Sequence, residues 1–244
     1  MVTSPAVPAG MEAVPEPLIK RAAGDIGARL AGAGALFFVV SVVAQNLVRG
    51  TSAPAVGASG QEALAYYADH RTLTAVLIAA FVLNVGALAV FLGGSVRRML
   101  SASRPAWAIT GVTGAVGIMA LFGIMVAAEQ AMTVVATADR PAVSTIEALL
   151  ALHDSAFTVL HVSLAVALLG LSRAGVAAGL TPRAFTVIGP VGAGLLAISA
   201  MSGPFTAAGE AMPLLGLGLI GFVAWLGFLA TTGLRLVRGA RSAA

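Results

Sequence analysis

One short stretch of the chain combines residue types that can transfer protons or bind small polar groups. It contains, in order, His153, Asp154, Ser155, Thr158 and His161. At roughly 100° per residue, Asp154, Thr158 and His161 share one face of a helix, with His161 about 10 Å further along the axis than Asp154. A carboxylate and an imidazole placed in this way could exchange protons or hold a polar ligand.

Three further polar residues interrupt other apolar stretches of the chain. Glu129 lies near the end of one stretch, Asn84 near the middle of another, and Gln45 towards the end of the first. Exposing such groups to lipid is costly, so we expect them to converge inside a bundle, in a pocket open to the outside. The predicted ligand-binding residues are His161, Asp154, Thr158, Glu129, His153, Asn84 and Gln45.

Each of these groups also has a purely structural explanation. Asp154 is explained as an acid in the first turn of its helix, where a carboxylate is favoured. Glu129 is explained by a position among the lipid headgroups, and His161 by a hydrogen bond to a neighbouring helix. The sequence leaves both explanations open.

We expect no metal ion and no cofactor. Asp154 and His161 are about two helical turns apart, whereas helical ligands of one ion are normally three or four residues apart. The chain has no cysteine, which excludes disulfides and thiolate ligands. The glycines from Gly216 to Gly221 match a dinucleotide-binding pattern, but that pattern requires a preceding strand, which this apolar segment does not provide.

The stretches that carry these residues are typical of membrane spans. Hydrophobic residues make up 59% of the 244-residue chain and charged residues only 10%, against about 25% charged residues in soluble domains. A helix needs roughly 20 apolar residues to cross a bilayer, and barrel strands would alternate in polarity, which these stretches do not. We therefore predict an all-α integral membrane bundle of six transmembrane helices. The predicted spans are Leu30–Val48, Leu73–Val96, Ala106–Val135, Leu149–Leu171, Ala184–Pro204 and Met212–Leu234.

The basic residues predict the orientation of this bundle. Only Arg49, Arg71 and Arg140 fall on one side of the six spans, and all other Lys and Arg residues fall on the opposite side. Positive charge marks the cytoplasmic side, so both termini are predicted to be cytoplasmic. We expect a flexible tail over residues 1–27, the membrane domain over 28–238 and a short tail over 239–244, in a multi-pass protein of the bacterial cytoplasmic membrane.

The longest predicted outer loop contains a helix start signal. Ser59 and Glu62 form a capping box, which predicts a short helix that ends near Asp69. Leu64, Tyr67 and Tyr66 could lay this helix on the membrane surface. The alternative is a lid over an outer cavity.

Glycine recurs along two of the predicted spans. The glycines concerned are Gly111, Gly114 and Gly117 in the third span, and Gly189, Gly192 and Gly194 in the fifth. Small residues allow membrane helices to approach closely, so these positions are predicted to lie at helix interfaces.

Several stretches, taken in order, resemble one family. They are Arg29–Ala35 at the first span, Glu62–Arg71 before the second, Leu160-His161 in the fourth, Leu180–Arg183 before the fifth and Leu215–Phe222 at the last. Over roughly Arg29 to Arg238, the chain resembles the bacterial membrane proteins grouped as domain of unknown function 4386. The resemblance implies a six-span fold and assigns no catalytic residue. His161 matches a histidine of that family, whereas Asp154 has no counterpart that we can identify.

Three functions are compatible with the sequence. The leading hypothesis is a non-enzymatic module, with a sensing or accessory role, that binds a small amphipathic or lipid-like molecule in an outward-facing pocket. The alternatives are a small proton-coupled transporter or exporter, and an intramembrane enzyme that uses Glu129, Asp154 and His161 on a lipid or isoprenoid.

The same features predict the partners of the protein. They are the lipid bilayer and a small amphipathic ligand, and a homo-oligomer is left open. We expect no binding to nucleic acid, because the net charge of +4 is scattered between apolar stretches and forms no basic face.

Overall fold

The structure is all-helical over the residues that it describes. This computed structural model describes residues 16–54, 57–102, 105–201 and 212–239, which form seven α-helices and no β-strand. The helices are α1 (Glu16–Ser52), α2 (Gly60–Asp69), α3 (Arg71–Leu100), α4 (Pro105–Ala136), α5 (Val143–Ala177), α6 (Phe185–Met201) and α7 (Met212–Gly239).

Five of these helices are long and apolar enough to cross a membrane. They are α3, α4 and α5 over their whole lengths, α1 from Ile26 and α7 from Gly216. Helix α6 is equally apolar but has 17 residues, or about 26 Å, which is the lower limit for a span. These helices indicate a multi-pass membrane protein.

Two predicted helix boundaries are wrong. Helix α1 begins at Glu16, so residues 16–27 are helical and are not the predicted flexible tail; residues 1–15 and 240–244 lie outside the described residues. Helix α5 begins at Val143, eleven residues before Asp154. Asp154 is therefore not a first-turn acid, and that structural explanation is also wrong. Both differences arise because helices continue beyond their apolar stretches.

The spanning helices and α6 form a ring. Neighbours around the ring follow the order α1, α3, α4, α5, α6 and α7, and α7 packs against α1. Large apolar side chains such as Val82 and Val187 point outwards and are more than 60% exposed, as expected for a surface in contact with lipid. We call the end of the ring where α1 and α4 finish, and where α2 lies, the α2 end.

Glycines bring α4 and α5 into backbone contact. A Cβ atom on Gly114 would lie 2.3 Å from the backbone nitrogen of Ala167, and a Cβ on Gly170 would lie 2.2 Å from that of Gly111. The predicted close approach is confirmed for Gly111, Gly114, Gly117, Gly189 and Gly192, whereas Gly194 faces open space. The α4–α5 interface therefore has no room for larger residues.

The predicted capping box forms at the start of α2. Ser59 is the N-cap, and its backbone N–H donates to Oε2 of Glu62 at 2.8 Å while its hydroxyl accepts from the Glu62 N–H at 3.3 Å. The hydrogen bond from the Ser59 backbone lowers the pKa of Glu62, since it stabilises the carboxylate. Helix α2 ends at Asp69, as predicted.

Helix α2 packs against α4 and α5 through the face that carries Tyr67. Tyr67 is buried with Met132 and Ala136 of α4 and Ile146 of α5, so the expectation that it faces the membrane surface is wrong. Leu64 and Tyr66 are partly buried against the same cluster. Because this face is apolar, it packs on the ends of α4 and α5.

The α4–α5 contact predicts opposite effects of alanine at two glycines of α4. Gly114→Ala should lower the free energy of unfolding by about 1–3 kcal/mol, because the new methyl group meets the backbone of α5. Gly123 has open space around it, so Gly123→Ala should be neutral or slightly stabilising. Thermal unfolding in detergent measures both, and equal melting temperatures would contradict this packing.

Candidate functional site

A cavity of about 390 Å³ lies inside the ring, within the usual range for small-molecule sites. Residues of α1, α3, α4, α5 and α7 line it, and most of them are apolar. The apolar lining includes Phe38 and Val42 of α1, Phe81, Val85 and Leu88 of α3, Ile118, Phe122 and Met125 of α4, Phe157, Leu160 and Leu164 of α5, and Phe222 of α7.

The α2 end of the cavity holds an ion pair with a buried carboxylate and a partly exposed guanidinium. Both terminal nitrogens of Arg49, on α1, donate to the two carboxylate oxygens of Glu129, on α4, with Nη2 2.9 Å from Oε2. Glu129 is only 2% exposed. A bidentate pair is among the strongest side-chain contacts, and here it neutralises a carboxylate that has little access to water.

His153 connects this ion pair to Asp154. Its Nε2 lies 3.5 Å from Oε1 of Glu129, and its Nδ1 lies 3.1 Å from Oδ1 of Asp154. Each ring nitrogen therefore faces a carboxylate, but only Nδ1 is within hydrogen-bond distance, and Nε2 has no hydrogen-bond partner among the described residues. Four side chains thus form a continuous row of polar groups from Arg49 to Asp154.

Helix α2 covers this polar end. Tyr67 lies close enough to Arg49 and Glu129 to interact electrostatically with both side chains. Burial, and then the negative charge of Glu129, raises the pKa of the Tyr67 hydroxyl well above its ordinary value. Tyr67 therefore presents a neutral side chain to the ion pair.

Two polar side chains lie deeper in the cavity. Nδ1 of His161 lies 3.1 Å from the backbone oxygen of Phe157 and donates to it, which leaves Nε2 as an acceptor in the neutral ring. Asn84 is 5% exposed, and its Oδ1 has no hydrogen-bond partner among the described residues. Both residues line the cavity and are surrounded by apolar side chains.

The structure brings five of the seven predicted residues to the cavity: Gln45, Asn84, Glu129, His153 and His161. Asp154 and Thr158 are not part of its lining, so the predicted placement of these two is wrong. The side chain of Asp154 is 47% exposed, and the Thr158 hydroxyl donates to the Asp154 backbone oxygen at 3.0 Å. The reason is angular: His161 lies at the edge of the strip of α5 that faces the cavity, and Asp154 and Thr158 fall beyond that edge.

Arg49 is a site residue that the sequence did not predict, because its charge indicated only the orientation of the bundle. Two signals could have identified it. Arg49 lies four residues after Gln45, on the same helical face. In addition, the intramembrane carboxylate of Glu129 requires a cation nearby.

The side chains required by the enzymatic alternative are not assembled. His161 lies eight residues beyond His153 on α5, or about 12 Å, and Asp154 is outside the cavity. Glu129, Asp154 and His161 therefore lack the mutual hydrogen-bond reach that acid–base catalysis needs.

Comparison of the chain with protein-family models, with curated proteins and with solved structures finds no match. The resemblance to the domain of unknown function 4386 family therefore stays a prediction.

The ion pair predicts a strongly non-additive pair of substitutions. Arg49→Met should lower the free energy of unfolding by roughly 3 kcal/mol, because it leaves the Glu129 carboxylate buried without a partner. The double variant with Glu129→Leu should recover most of that loss. The free energies of unfolding in detergent of both single variants and of the double variant measure this non-additivity.

The matched control is Arg71→Met, since Arg71 is an exposed arginine at the same end of the ring. Its effect should stay within about 0.5 kcal/mol. Additive losses in the double variant would show that Arg49 and Glu129 do not depend on each other.

Proposed function

We propose that the protein binds a single-chain amphipathic molecule, such as a fatty acid, in the cavity of the ring, as a non-catalytic module with a sensing or accessory role. One observation carries this proposal. The cavity is polar at the α2 end, around Arg49 and Glu129, and apolar at the other end, around Phe38 and Leu164. This distribution matches a molecule with a polar head and an apolar chain.

The dimensions of the cavity support a chain-like ligand. Its lining extends over twelve residues of α1, from Phe38 to Arg49, and over twelve residues of α5, from His153 to Leu164. Each distance corresponds to about 16 Å along the helix axis. A medium-length acyl chain would fit along this axis.

Arg49 offers hydrogen bonds to the head of such a ligand. Its guanidinium has five N–H donors, of which Glu129 accepts two. The side chain is 31% exposed and forms part of the cavity lining. A carboxylate could therefore accept from the remaining donors without breaking the ion pair.

The deep end of the cavity favours binding over transport. Beyond Asn84 and His161, the described lining is apolar and includes Leu88, Ile118 and Leu164. Proton-coupled transport would need a polar or titratable path through this part of the bundle. A binding site needs no such path.

We also propose that the six apolar helices all span the bacterial cytoplasmic membrane, with both termini in the cytoplasm. Among the described arginines, Arg49 is engaged in the cavity, which leaves Arg71 and Arg140 on the surface of the α2 end. The opposite end carries the larger group Arg29, Arg97, Arg98, Arg173, Arg183, Arg235 and Arg238. The positive-inside rule then makes the α2 end the outer end and the cavity outward-facing.

A bulky side chain in the apolar part of the cavity should weaken ligand binding. Val85 lines the cavity, whereas Val82, on the same helix, is 64% exposed on the outer surface. Val85→Trp should reduce the affinity for dansyl-labelled undecanoic acid about tenfold or more, because the indole occupies the space of the chain. Fluorescence titration of the purified protein in detergent measures this.

Val82→Trp is the matched control, and it should bind the labelled acid like the unsubstituted protein. Equal affinities for both variants would place the binding site outside this cavity. Absence of saturable binding by the unsubstituted protein would reject the proposed function.

Single cysteines can test the proposed orientation, because the chain has no cysteine of its own. Asp139 is exposed at the α2 end and Ser101 is exposed at the opposite end. A membrane-impermeant maleimide should label Asp139→Cys in intact cells, and should label Ser101→Cys only after permeabilisation. The reverse pattern would overturn the orientation.

A further inference from the structure

Two polar side chains interrupt the apolar part of the cavity. Asn84 of α3 and His161 of α5 are 5% and 6% exposed, and both contribute to the lining. We call them the mid-cavity pair. Polar groups are costly to bury in apolar surroundings unless they are hydrogen-bonded, and Oδ1 of Asn84 has no hydrogen-bond partner among the described residues. A polar group of a ligand in the cavity would therefore stabilise the pair.

An aromatic contact defines the register between α3 and α4. The ring of Phe81 packs on that of Phe122, with centroids 5.7 Å apart. The two helices are joined by a short connection and run antiparallel. Moving three residues away from the α2 end on each helix therefore places Asn84 level with Met119.

A glycine contact defines the register between α4 and α5, which are also antiparallel. A Cβ atom on Gly117 would lie 2.6 Å from Oγ of Ser163, so these two residues are level. Two residues towards the α2 end, Met119 is then level with His161. Asn84 and His161 therefore lie at the same depth to within about one helical turn.

The chemistry of the pair defines the partner that it can bind. Nδ1 of His161 is engaged by the Phe157 backbone oxygen, so Nε2 requires a donor. Asn84 contributes an amide with both donor and acceptor atoms. A hydroxyl group can donate to Nε2 of His161 or to Oδ1 of Asn84 and can accept from the amide N–H, whereas a ketone or ester oxygen can only accept and would leave both of these acceptors unpaired.

We infer that the ligand is a hydroxylated acyl chain, with its hydroxyl about 12 Å from its polar head, the distance along α5 from His153 to His161. This inference rests on the proposed function and narrows its ligand class. The apolar lining on both sides of the mid-cavity pair, with Phe122 and Met125 towards the α2 end and Leu88 and Leu164 beyond, would contact the methylene groups.

The test is a competition experiment with the full chain in detergent. Myristic acid and two hydroxylated forms of it displace dansyl-labelled undecanoic acid. One form carries the hydroxyl about 12 Å from the carboxylate, and the other carries it on the carbon next to the carboxylate. The mid-chain form should compete about fivefold to tenfold more strongly than myristic acid, and the other form should show no such gain.

Substitutions in the pair should remove this gain without removing binding. Asn84→Leu and His161→Phe should each bring the mid-chain hydroxy acid down to the affinity of myristic acid, which itself should still bind. Thr158→Val is the control on α5 outside the cavity, and it should keep the preference. A preference that persists in both pair variants would overturn the assignment of these residues.

A second pair of variants tests His161 without replacing it. A Cβ atom on Gly218 of α7 would lie 2.5 Å from Oγ of Ser199 on α6 and 3.0 Å from Nε2 of His161, whereas one on Gly216 would meet nothing within 4 Å. Gly218→Ala should therefore weaken the preference by covering Nε2, and Gly216→Ala should not.

The competition in the unsubstituted protein separates the two levels of the proposal and does not depend on any variant folding. Equal competition by all three acids would overturn the hydroxyl inference and leave the proposed function intact. Failure of every acid to displace the labelled probe would reject the proposed function, and this inference with it.

Discussion

The arrangement of the cavity depends on the high free-energy cost of placing an unpaired charge in hydrocarbon. Glu129 is almost completely buried on a spanning helix, where an unpaired carboxylate would be strongly destabilising. Arg49 neutralises it from α1, although α1 and α4 are not neighbours in the ring. The pair therefore connects two helices across the α2 end of the cavity. Polar groups are concentrated at that end, and the rest of the cavity wall is mostly apolar.

The helix interfaces explain why there is space beneath this pair. Along α4 and α5, glycines such as Gly114 and Gly170 bring the two backbones into contact. Larger side chains, including Phe38 and Phe122, border the space between α1 and those two helices. The ring is therefore tight on one side and open inside, and the difference follows from the sizes of the residues that face each gap.

Much of the fold could be predicted from the sequence because its signals are local. The apolar stretches predicted the spanning helices, and the Ser59–Glu62 capping box predicted α2 and its last residue. The site was predicted less completely, since the rotation of α5 about its own axis decides which of its residues line the cavity. This rotation places His153 in the cavity lining and Asp154 outside it. The spacing of residues along a single helix does not determine the rotation. Tyr67 faces the protein for a similar tertiary reason.

The apolar deep wall, formed by residues such as Leu88 and Ile118, has a consequence for selectivity. A chain that moves from the surrounding leaflet into this space exchanges one hydrocarbon environment for another, so the transfer releases no water and the hydrophobic effect adds little. Discrimination among membrane amphiphiles must then come from the few polar atoms and from shape. Occupancy would follow the mole fraction of a compound in the leaflet rather than its aqueous concentration.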